Sequence, residues 1–457
     1  MSMHPNIIFF LIDGLRADQV YGNNRTCKTP NFDSLIQKGM YCEQATSSVD
    51  GTFISLNTIL ASNFQVGNAA KHQKLVLNQN NLIEILKKNG YHIYGVFPNL
   101  TSFNSLRQYF ENENNSFKWI EDEAPPETLP TGLTERITKV LESTEKQEPY
   151  FCYFHIFDLH PLREGNKSIE IKKFDSEEFG SSMYARTVSS IDYWFGKILK
   201  KINLEKTLLV ITADHGERIP FEDKGYSHFQ PKFEPTTKLG KKYLPESTHK
   251  ITGRFFGKVK NTIGKTKLSY SNIKLTPYQK RSRDPYFTLS LCDEMIRVPL
   301  LFAGNSIKPK IITEQIRHVD IFPTICELVG IPSLDIKISG RSLASITNEN
   351  SREENPNYLH TSPYLKPTPL DRIGVRTSKY KYFRAADNAS ENINLYDLKK
   401  DPQENDNIAK YNPQLIKDME KILSQMIASS PENLQNEKMS EDEEEQIKKE
   451  LAKLGYM

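Results

Sequence analysis

The chain has 457 residues, a formal net charge of +3, 37% hydrophobic residues and 26% charged residues. A chain of this length can bury one large core and a smaller second one, and its nearly neutral charge gives no indication of specific nucleic-acid recognition. No apolar run approaches the roughly 18 residues that a membrane-spanning helix requires, so the composition indicates a soluble globular protein.

The amino terminus and the cysteines bear on the compartment. No basic n-region or apolar h-region precedes the first predicted strand, so we expect no signal peptide. The five cysteines are scattered and include no C-x-x-C pair; they are Cys27, Cys42, Cys152, Cys292 and Cys326. We expect free, buried thiols and a cytoplasmic location.

Apolar runs that end in carboxylates recur along the chain. They cover 6–12, 150–157 and 208–213, and the residues that follow them are Asp13-Gly14, Asp158-Leu159-His160 and Asp214-His215-Gly216. Such runs are typical of parallel strands that are buried on both faces. Since ligands in open α/β sheets bind beyond the carboxyl ends of strands, an acid beside an imidazole there is a candidate metal pair. Taken alone, each could also be a turn in which the aspartate caps a helix.

Thr52 stands at the start of a predicted helix. Gly51 allows a tight turn, and the apolar residues at 53, 56, 59 and 60 follow helical spacing. A threonine at this position can cap the helix. It can also act as a nucleophile whose alkoxide is stabilised by helix-end N–H groups and a metal. The helix pattern alone leaves both interpretations open.

The remaining pattern predicts the fold class. Helices are predicted from Thr29-Pro30 to Gly39 and over 184–200, where Asp192 is interpreted as structural, and a further strand is predicted over 91–97. Strands that alternate with helices predict an α/β fold with a doubly wound, mostly parallel sheet. We assign residues 1–338 to this catalytic domain.

A different pattern follows residue 338. Two strands that form an antiparallel hairpin are predicted over 374–383 and 393–398, followed by a helix over 412–427. These elements predict a small C-terminal α+β subdomain over 339–430. Residues 431–457 are expected to form an acidic linker and a terminal helix whose first turn is rich in acids.

Residues 224–283 differ in composition from the rest of the first domain. The segment contains 15 Lys and Arg residues against two acids, and it has few apolar runs. It can be a solvated, loop-rich insertion. Alternatively, it can face a polyanion or an anionic membrane surface.

In these motifs the chain resembles the alkaline phosphatase superfamily, and most closely its sulfatase-like branch. The resemblance runs almost end to end, and the matching stretches are Leu11–Arg16, Thr29–Leu35, Asp158–Pro161, Ala213–Glu217, Arg297–Leu300, His318–Thr324, Gly340–Leu343, Asn394–Asn405 and Leu451–Tyr456. Several such motifs in the right order are a specific signal.

The resemblance implies one divalent-metal site and a set of roles. Asp13, Asp214 and His215 would be metal ligands, and Thr52 would be both nucleophile and ligand. His160 matches the histidine that contacts the anionic ester or protonates the leaving group. Candidate substrate-binding residues are Asp158, His228, Arg281 and Arg283. The strand-end pattern agrees with this set, because it brings three strand ends and one helix start to one crevice.

The chain also departs from the sulfatase pattern. Sulfatases carry Cys or Ser in a C/S-x-P-S-R motif that is converted to formylglycine, whereas this chain has Thr52-Phe53-Ile54-Ser55-Leu56. Sulfatases usually have two adjacent aspartates where this chain has Asp13-Gly14, and their G-K-W-H stretch is missing near Phe97. Threonine nucleophiles occur in the phosphodiesterase and phosphotransferase branches.

We therefore expect a metal-dependent hydrolase that cleaves a phosphate or sulfate ester of a small or polymeric substrate. A phosphotransferase that uses a sugar or lipid acceptor is the second hypothesis, and a catalytically inactive anion-binding protein is the third. The mixed carboxylate and imidazole ligands favour Mn²⁺ or Zn²⁺ as the single divalent ion, with Ca²⁺ and Mg²⁺ as alternatives.

Overall fold

A computed structural model describes most of the chain. The described residues are 4–23, 25–66, 74–77, 80–118, 127–144, 146–160, 171–219, 275–283, 291–304, 307–331, 336–344, 355–361, 370–429 and 440–453. Most of the basic segment, including His228, lies outside these ranges, so its predicted surface role stays a prediction.

The larger of the two sheets in the described residues has eight strands. In chain order they are β1 Asn6–Ile12, β2 Met40–Thr46, β3 His92–Pro98, β4 Ser116–Phe117, β5 Tyr150–Ile156, β6 Thr207–Thr212, β7 Leu300–Gly304 and β8 Lys310–Arg317. Their spatial order is β4-β3-β5-β1-β6-β7-β2-β8. Every pairing is parallel except those of β7, which runs antiparallel to β6 and to β2. The predicted mostly parallel sheet is therefore confirmed.

The centre of this sheet positions the candidate site. Strand β1 pairs in parallel with β5 on one side and with β6 on the other, and every residue of the three strands is buried. Burial on both faces explains why their sequences are continuous apolar runs. The register places Ile12 beside Ile156 and Leu11 beside Thr212. The residues that follow the three strands therefore emerge side by side at one edge.

Helices cover the sheet and the second domain. They are α1 Pro30–Lys38, α2 Thr52–Ala61, α3 Leu82–Lys88, α4 Asn104–Arg107, α5 Leu133–Thr144, α6 Met183–Leu199, α7 Pro277–Arg283, α8 Asp293–Ile296, α9 Ile321–Leu328, α10 Pro413–Ser429 and α11 Glu441–Lys453.

Asp192 on α6 accepts hydrogen bonds from the N–H groups of Asn31 and Phe32 at the start of α1. These contacts confirm that Asp192 is structural.

The second sheet is antiparallel and has the order β12-β11-β10-β9. Its strands are β9 Asn357–His360, β10 Arg372–Arg376, β11 Tyr380–Ala385 and β12 Asn394–Asp397. Its core includes side chains from α10, such as Met419 and Leu423, together with Phe64 and Val319 from the first domain. The predicted α+β subdomain is confirmed as a fold, while its boundary at residue 339 stays a prediction.

Two further expectations concern the cysteines and the membrane. All five cysteines are free and buried, as predicted. Among the described residues, no helix is both long enough and apolar enough to cross a membrane.

Candidate active site

Three elements deliver the four predicted central residues to one place. Asp13 follows β1, Asp214 and His215 follow β6, and Thr52 is the first residue of α2. One ligand atom from each of Asp13, Asp214 and His215 lies within 4.8 Å of the other two. All three side chains are buried, and Thr52 is 9% exposed. The tertiary structure thus brings together the predicted ligands and the predicted nucleophile.

Two glycines shape the backbone beside these residues. Gly14 has a left-handed φ of +69°, a conformation that favours glycine, and its N–H donates to Asp214 Oδ1 at 3.1 Å. This φ gives a physical reason for glycine where sulfatases usually have a second aspartate. At Gly216, a Cβ atom would lie 2.2 Å from the carbonyl oxygen of Glu294. A side chain at 216 would therefore push the segment of α8 away from the site.

The tautomer of His215 follows from its hydrogen bonds. Its Nδ1 lies 2.7 Å from the carbonyl oxygen of Gly216, and a carbonyl can only accept, so Nδ1 carries the proton. A neutral ring then has its lone pair on Nε2, which lies 3.5 Å from Asp214 Oδ2. A backbone carbonyl that fixes the tautomer is a common second partner of metal-binding histidines.

The hydroxyl of Thr52 points into this group. Thr52 Oγ1 donates to Asp13 Oδ2 at 3.1 Å and lies 3.4 Å from His215 Nε2. The N-cap residue of α2 is Gly51, so the hydroxyl of Thr52 is directed to the acidic cluster instead of capping its own helix. The geometry therefore supports the second of the two interpretations of Thr52.

The environment keeps Asp214 ionised. Burial raises the pKa of Asp214, but His215, His155 and the hydrogen bonds from Thr52 and Gly14 lower it, and the net pKa is about 2. Burial lowers the pKa of His155 to about 3, so this imidazole is neutral. A permanently charged carboxylate is the form that binds a cation.

The donor set fits a divalent ion. Two buried carboxylates, one imidazole with its lone pair on Nε2 and one hydroxyl converge on the same space. Burying two acidic groups next to one another is unfavourable unless a positive charge compensates them. Oxygen and nitrogen donors together match Mn²⁺ or Zn²⁺. The fit supports the metal prediction without selecting the ion.

His160 and Asp158 lie at the carboxyl end of β5, next to β1. The ring of His160 is buried and stacks on Phe157, with ring centroids 5.2 Å apart. Both carboxylate oxygens of Asp158 accept from the N–H of Leu129, at 3.1 and 3.2 Å. This contact gives Asp158 a structural role, and the catalytic role of His160 and the substrate role of Asp158 stay predictions.

The predicted basic substrate residues have different outcomes. Arg281 donates to Glu294 Oε1 at 2.7 Å and to the carbonyl oxygens of Gln403 and Glu404 at 2.9 Å each. These bonds hold α7 against the second domain, and substrate binding by Arg281 stays a prediction. The side chain of Arg283 lies outside the described part of the structure.

Three neighbours of Asp214 were not assigned a role from the sequence. His155 lies on β5, with Nδ1 2.9 Å from the hydroxyl of Tyr153. Ser55 donates to the carbonyl oxygen of Asp214 at 2.6 Å, and His318 Nδ1 lies 3.0 Å from Ser55 Oγ. A single histidine inside the otherwise apolar run 150–157 was a signal for His155. Ser55 and His318 are 263 positions apart, and their pairing has no local signal.

Comparison with protein families identifies the chain's relatives. The family model described as Sulfatase matches residues 5–331. A second model, described as N-sulphoglucosamine sulphohydrolase, C-terminal, matches residues 286–451. Together these matches cover both sheets.

Individual relatives are more distant. The chain is 29% identical over 149 residues to Arylsulfatase K of Mus musculus, covering 31% of this chain and 27% of that protein. It is 35% identical over 131 residues to Delta 4,5-hexuronate-2-O-sulfatase of Bacteroides thetaiotaomicron, covering 27% and 26%. The matched region thus spans about a quarter of the length of these curated relatives.

A solved structure shares the fold. A protein described in complex with its substrate D-glucosamine-2-N,6-O-disulfate superposes with a TM-score of 0.61 at 16% identity, covering 94% of this chain and 100% of that chain. At this identity the similarity concerns the fold alone.

Proposed function

The chain belongs to the sulfatase family, and from that premise we propose that it hydrolyses an anionic ester of sulfuric or phosphoric acid with Thr52 as the nucleophile. The observation that carries this proposal is the position of the Thr52 hydroxyl. It stands at the start of α2, donates to Asp13 Oδ2 and lies next to His215 Nε2.

The residues of the site have complementary tasks in this reaction. Asp13 accepts the hydroxyl proton of Thr52 and thereby orients Oγ1. The N–H groups at the start of α2 stabilise negative charge that develops next to Thr52. Asp13, Asp214 and His215 would hold one divalent ion, which lowers the pKa of a bound hydroxyl and neutralises the transferring group.

The reaction would proceed in two displacements. Thr52 Oγ1 attacks sulfur or phosphorus as its proton passes to Asp13, the bond to the ester oxygen breaks, and His160 would give the leaving alcohol its proton. Water then gives a proton back to His160 and attacks the same sulfur or phosphorus, the bond to Thr52 Oγ1 breaks, and Oγ1 recovers its proton from Asp13 as the sulfate or phosphate product is released. A sugar or lipid hydroxyl in place of that water would make the protein a transferase.

The names of two relatives support a substrate class. One solved neighbour is described with a disulfated glucosamine as its substrate, and one curated relative is named for a 2-O-sulfated hexuronate. We propose a sugar that carries an anionic ester as the substrate. The negative charge of such an ester would also be attracted to the divalent cation that the buried acids would hold.

The choice between sulfate and phosphate depends on the chemistry of Thr52. Formylglycine, the residue of sulfatases, has two geminal oxygens, so its sulfated form can expel sulfate while the aldehyde re-forms. Thr52 has one oxygen, and its sulfate ester would need slow attack of water at sulfur. Its phosphate ester can be attacked at phosphorus with electrostatic stabilisation of the leaving oxygen. We therefore expect phosphate esters, and diesters in particular, to be turned over faster than matched sulfate esters.

The test compares aryl phosphate monoesters, aryl phosphate diesters and aryl sulfates as substrates. Wild-type protein loaded with Mn²⁺ or Zn²⁺ should show a higher kcat/KM for the phosphate esters. Thr52→Val, which keeps the shape and removes the hydroxyl, should lose at least about a thousandfold in kcat, whereas Thr52→Ser should retain activity. A clear preference for sulfate, or an active Thr52→Val variant, would contradict the threonine mechanism. Product analysis with and without a sugar acceptor separates hydrolysis from transfer.

A further inference from the structure

We propose that Ser55 and His318 form a buried positioning pair that holds α2, and with it Thr52, against the strand end that carries Asp214. The inference deepens the proposed function and rests on it for its kinetic readout. Its structural readout is independent of any activity.

The first contact joins α2 to the end of β6. Ser55 is fully buried and donates to the backbone carbonyl oxygen of Asp214 at 2.6 Å. Thr52 and Ser55 are three residues apart on α2, so they share one face of the helix. That face therefore contacts the cluster twice, through Thr52 to Asp13 and through Ser55 to Asp214.

The direction of the Ser55 hydroxyl is unusual for a helix. Buried serine and threonine hydroxyls inside helices commonly bond to a carbonyl four residues earlier. Thr58 on the same helix does this, donating to the carbonyl oxygen of Ile54 at 2.9 Å. Ser55 instead donates its single hydroxyl hydrogen to the carbonyl oxygen of Asp214, 159 positions away in the chain. The bond therefore links two elements rather than stabilising one.

The second contact fixes the hydroxyl. His318 Nδ1 lies 3.0 Å from Ser55 Oγ. The carbonyl oxygen of Asp214 can only accept, so the hydrogen of Ser55 is committed to it, and a hydrogen bond between His318 Nδ1 and Ser55 Oγ requires Nδ1 as the donor. His318 is fully buried and lies directly after β8. The chain of donors runs from His318 to Ser55 to Asp214.

The consequence is a fixed separation between nucleophile and ligand. Thr52 and Asp214 belong to different elements, and the Ser55 bond sets how far α2 can slide along the strand end. Errors of about 1 Å in such a geometry can cost about a hundredfold in rate. We therefore treat Ser55 and His318 as positioning residues that act through α2 and Asp214.

The test uses the two nitrogens of histidine. In His318→Asn the amide nitrogen can take the place of Nδ1, whereas in His318→Gln it extends toward the place of Nε2. We expect Ser55→Ala and His318→Gln to lower kcat by about 10- to 100-fold with KM changed by less than about threefold. His318→Asn should stay within about threefold of wild type. The double variant Ser55→Ala/His318→Gln should be no slower than the slower single variant, because both break one chain.

Thr58→Val is the matched control, since it removes a buried hydroxyl that bonds only within α2 among its described contacts. It should leave kcat unchanged. Crystal structures of three single variants, Ser55→Ala, His318→Gln and His318→Asn, give a readout that does not depend on activity. We expect the Thr52 Oγ1 to Asp13 Oδ2 distance to exceed 3.5 Å in the first two variants and to stay near its present value in His318→Asn.

The outcomes separate the two proposals. Wild-type distances in Ser55→Ala, or the same kinetic and structural result for His318→Gln and His318→Asn, would overturn the positioning role. If Thr52→Val were as active as wild type, the threonine mechanism would fail, while the crystallographic distances would still decide whether Ser55 and His318 hold α2 in place.

Discussion

At the scale of single residues, Asp214 accepts hydrogen bonds from three neighbours in the candidate site. Its Oδ1 accepts from the N–H groups of Gly14 and His215, and its carbonyl accepts from Ser55. We expect Asp214→Ala to abolish metal content and turnover while the fold is retained, because the lost carboxylate is the ligand flanked by His215. Elemental analysis and circular dichroism test this. Asp387→Ala, which removes an exposed carboxylate, is the control, and full metal occupancy in Asp214→Ala would refute the ligand assignment.

Asp158 predicts a pH dependence of stability. Burial raises its pKa to about 7, although the N–H of Leu129 lowers it, whereas an unfolded aspartate titrates near pH ~4. The folded protein therefore keeps a proton that the unfolded chain releases, so this group's contribution to stability is present at low pH and is lost as the pH rises through about 7.

The variant Asp158→Asn removes this titration and keeps an oxygen that can accept from Leu129. We expect its unfolding free energy, relative to wild type, to rise between pH 4 and 8 by up to about 4 kcal/mol. Urea unfolding at several pH values measures the difference. A constant difference across this range would show that Asp158 titrates normally in the folded protein.

At the scale of elements, Arg16 bonds to one residue before and one residue after the undescribed stretch 220–274. Its guanidinium is buried and donates to the carbonyl oxygen of Glu217 at 3.2 Å and to the hydroxyl of Tyr278 at 2.9 Å. Since one guanidinium reaches both groups, Glu217 and Tyr278 lie close together, and Glu217 is two residues after the candidate ligand His215.

These two hydrogen bonds of Arg16 predict that the basic segment can be shortened. Replacing residues 222–272 with a short Gly-Ser linker should leave the core folded, because Arg16 already holds Glu217 and Tyr278 close together. The thermal unfolding midpoint should change by no more than a few degrees. Arg16→Leu combined with the shortened segment is the contrasting variant, and it should be clearly less stable because it removes the buried guanidinium that bonds to Glu217, Tyr278 and Asp18.

The variant with the shortened segment also tests whether the basic residues bind anionic surfaces. With 15 Lys and Arg residues between 224 and 283, we expect wild-type protein to bind liposomes that contain anionic lipid, and binding should weaken as salt screens the charges. The shortened protein should bind less. Equal retention of both proteins on liposomes and on a polyanion column would leave the segment as a solvated loop.

At the scale of the whole molecule, a buried ion network connects the two sheets. Lys381 on β11 is fully buried and lies 2.5 Å from Asp293 and 2.8 Å from Glu404. Arg376 on β10 bonds to Asp293 and to Gln315 on β8. Burial lowers the pKa of Lys381, but Asp293 and Glu404 outweigh it and raise the pKa, which keeps the amine charged.

Removing one charge from this network should destabilise the protein. We expect Lys381→Met to lower the unfolding free energy by about 3–5 kcal/mol, because the buried carboxylate of Glu404 loses the Lys381 amine and Asp293 is left with Arg376. Lys379→Met changes the same residue type at an exposed position of the same hairpin, and it should have an effect within about 0.5 kcal/mol. Similar urea midpoints for the two variants would mean that the network does not hold the sheets together.

The sequence by itself determined the strands and the chemistry at their ends. Apolar runs bounded by polar residues located β1, β5 and β6 within one or two residues, because burial on both faces demands continuous apolar side chains. The acids and histidines after those runs could then be identified as candidate ligands, since parallel strands direct their carboxyl ends to one edge. The conformation of α2 and the position of Thr52 at its start also followed from local spacing.

Only the tertiary structure decided which groups meet. The reversed strand β7 and its place between β6 and β2 depend on pairings between distant segments, which no local pattern encodes. The same holds for the bond from Ser55 to the carbonyl oxygen of Asp214 and for the contact between Ser55 and His318. Hydrogen bonds have a short range and a fixed direction, so the partner of a buried polar atom is known only when both ends have been placed in space.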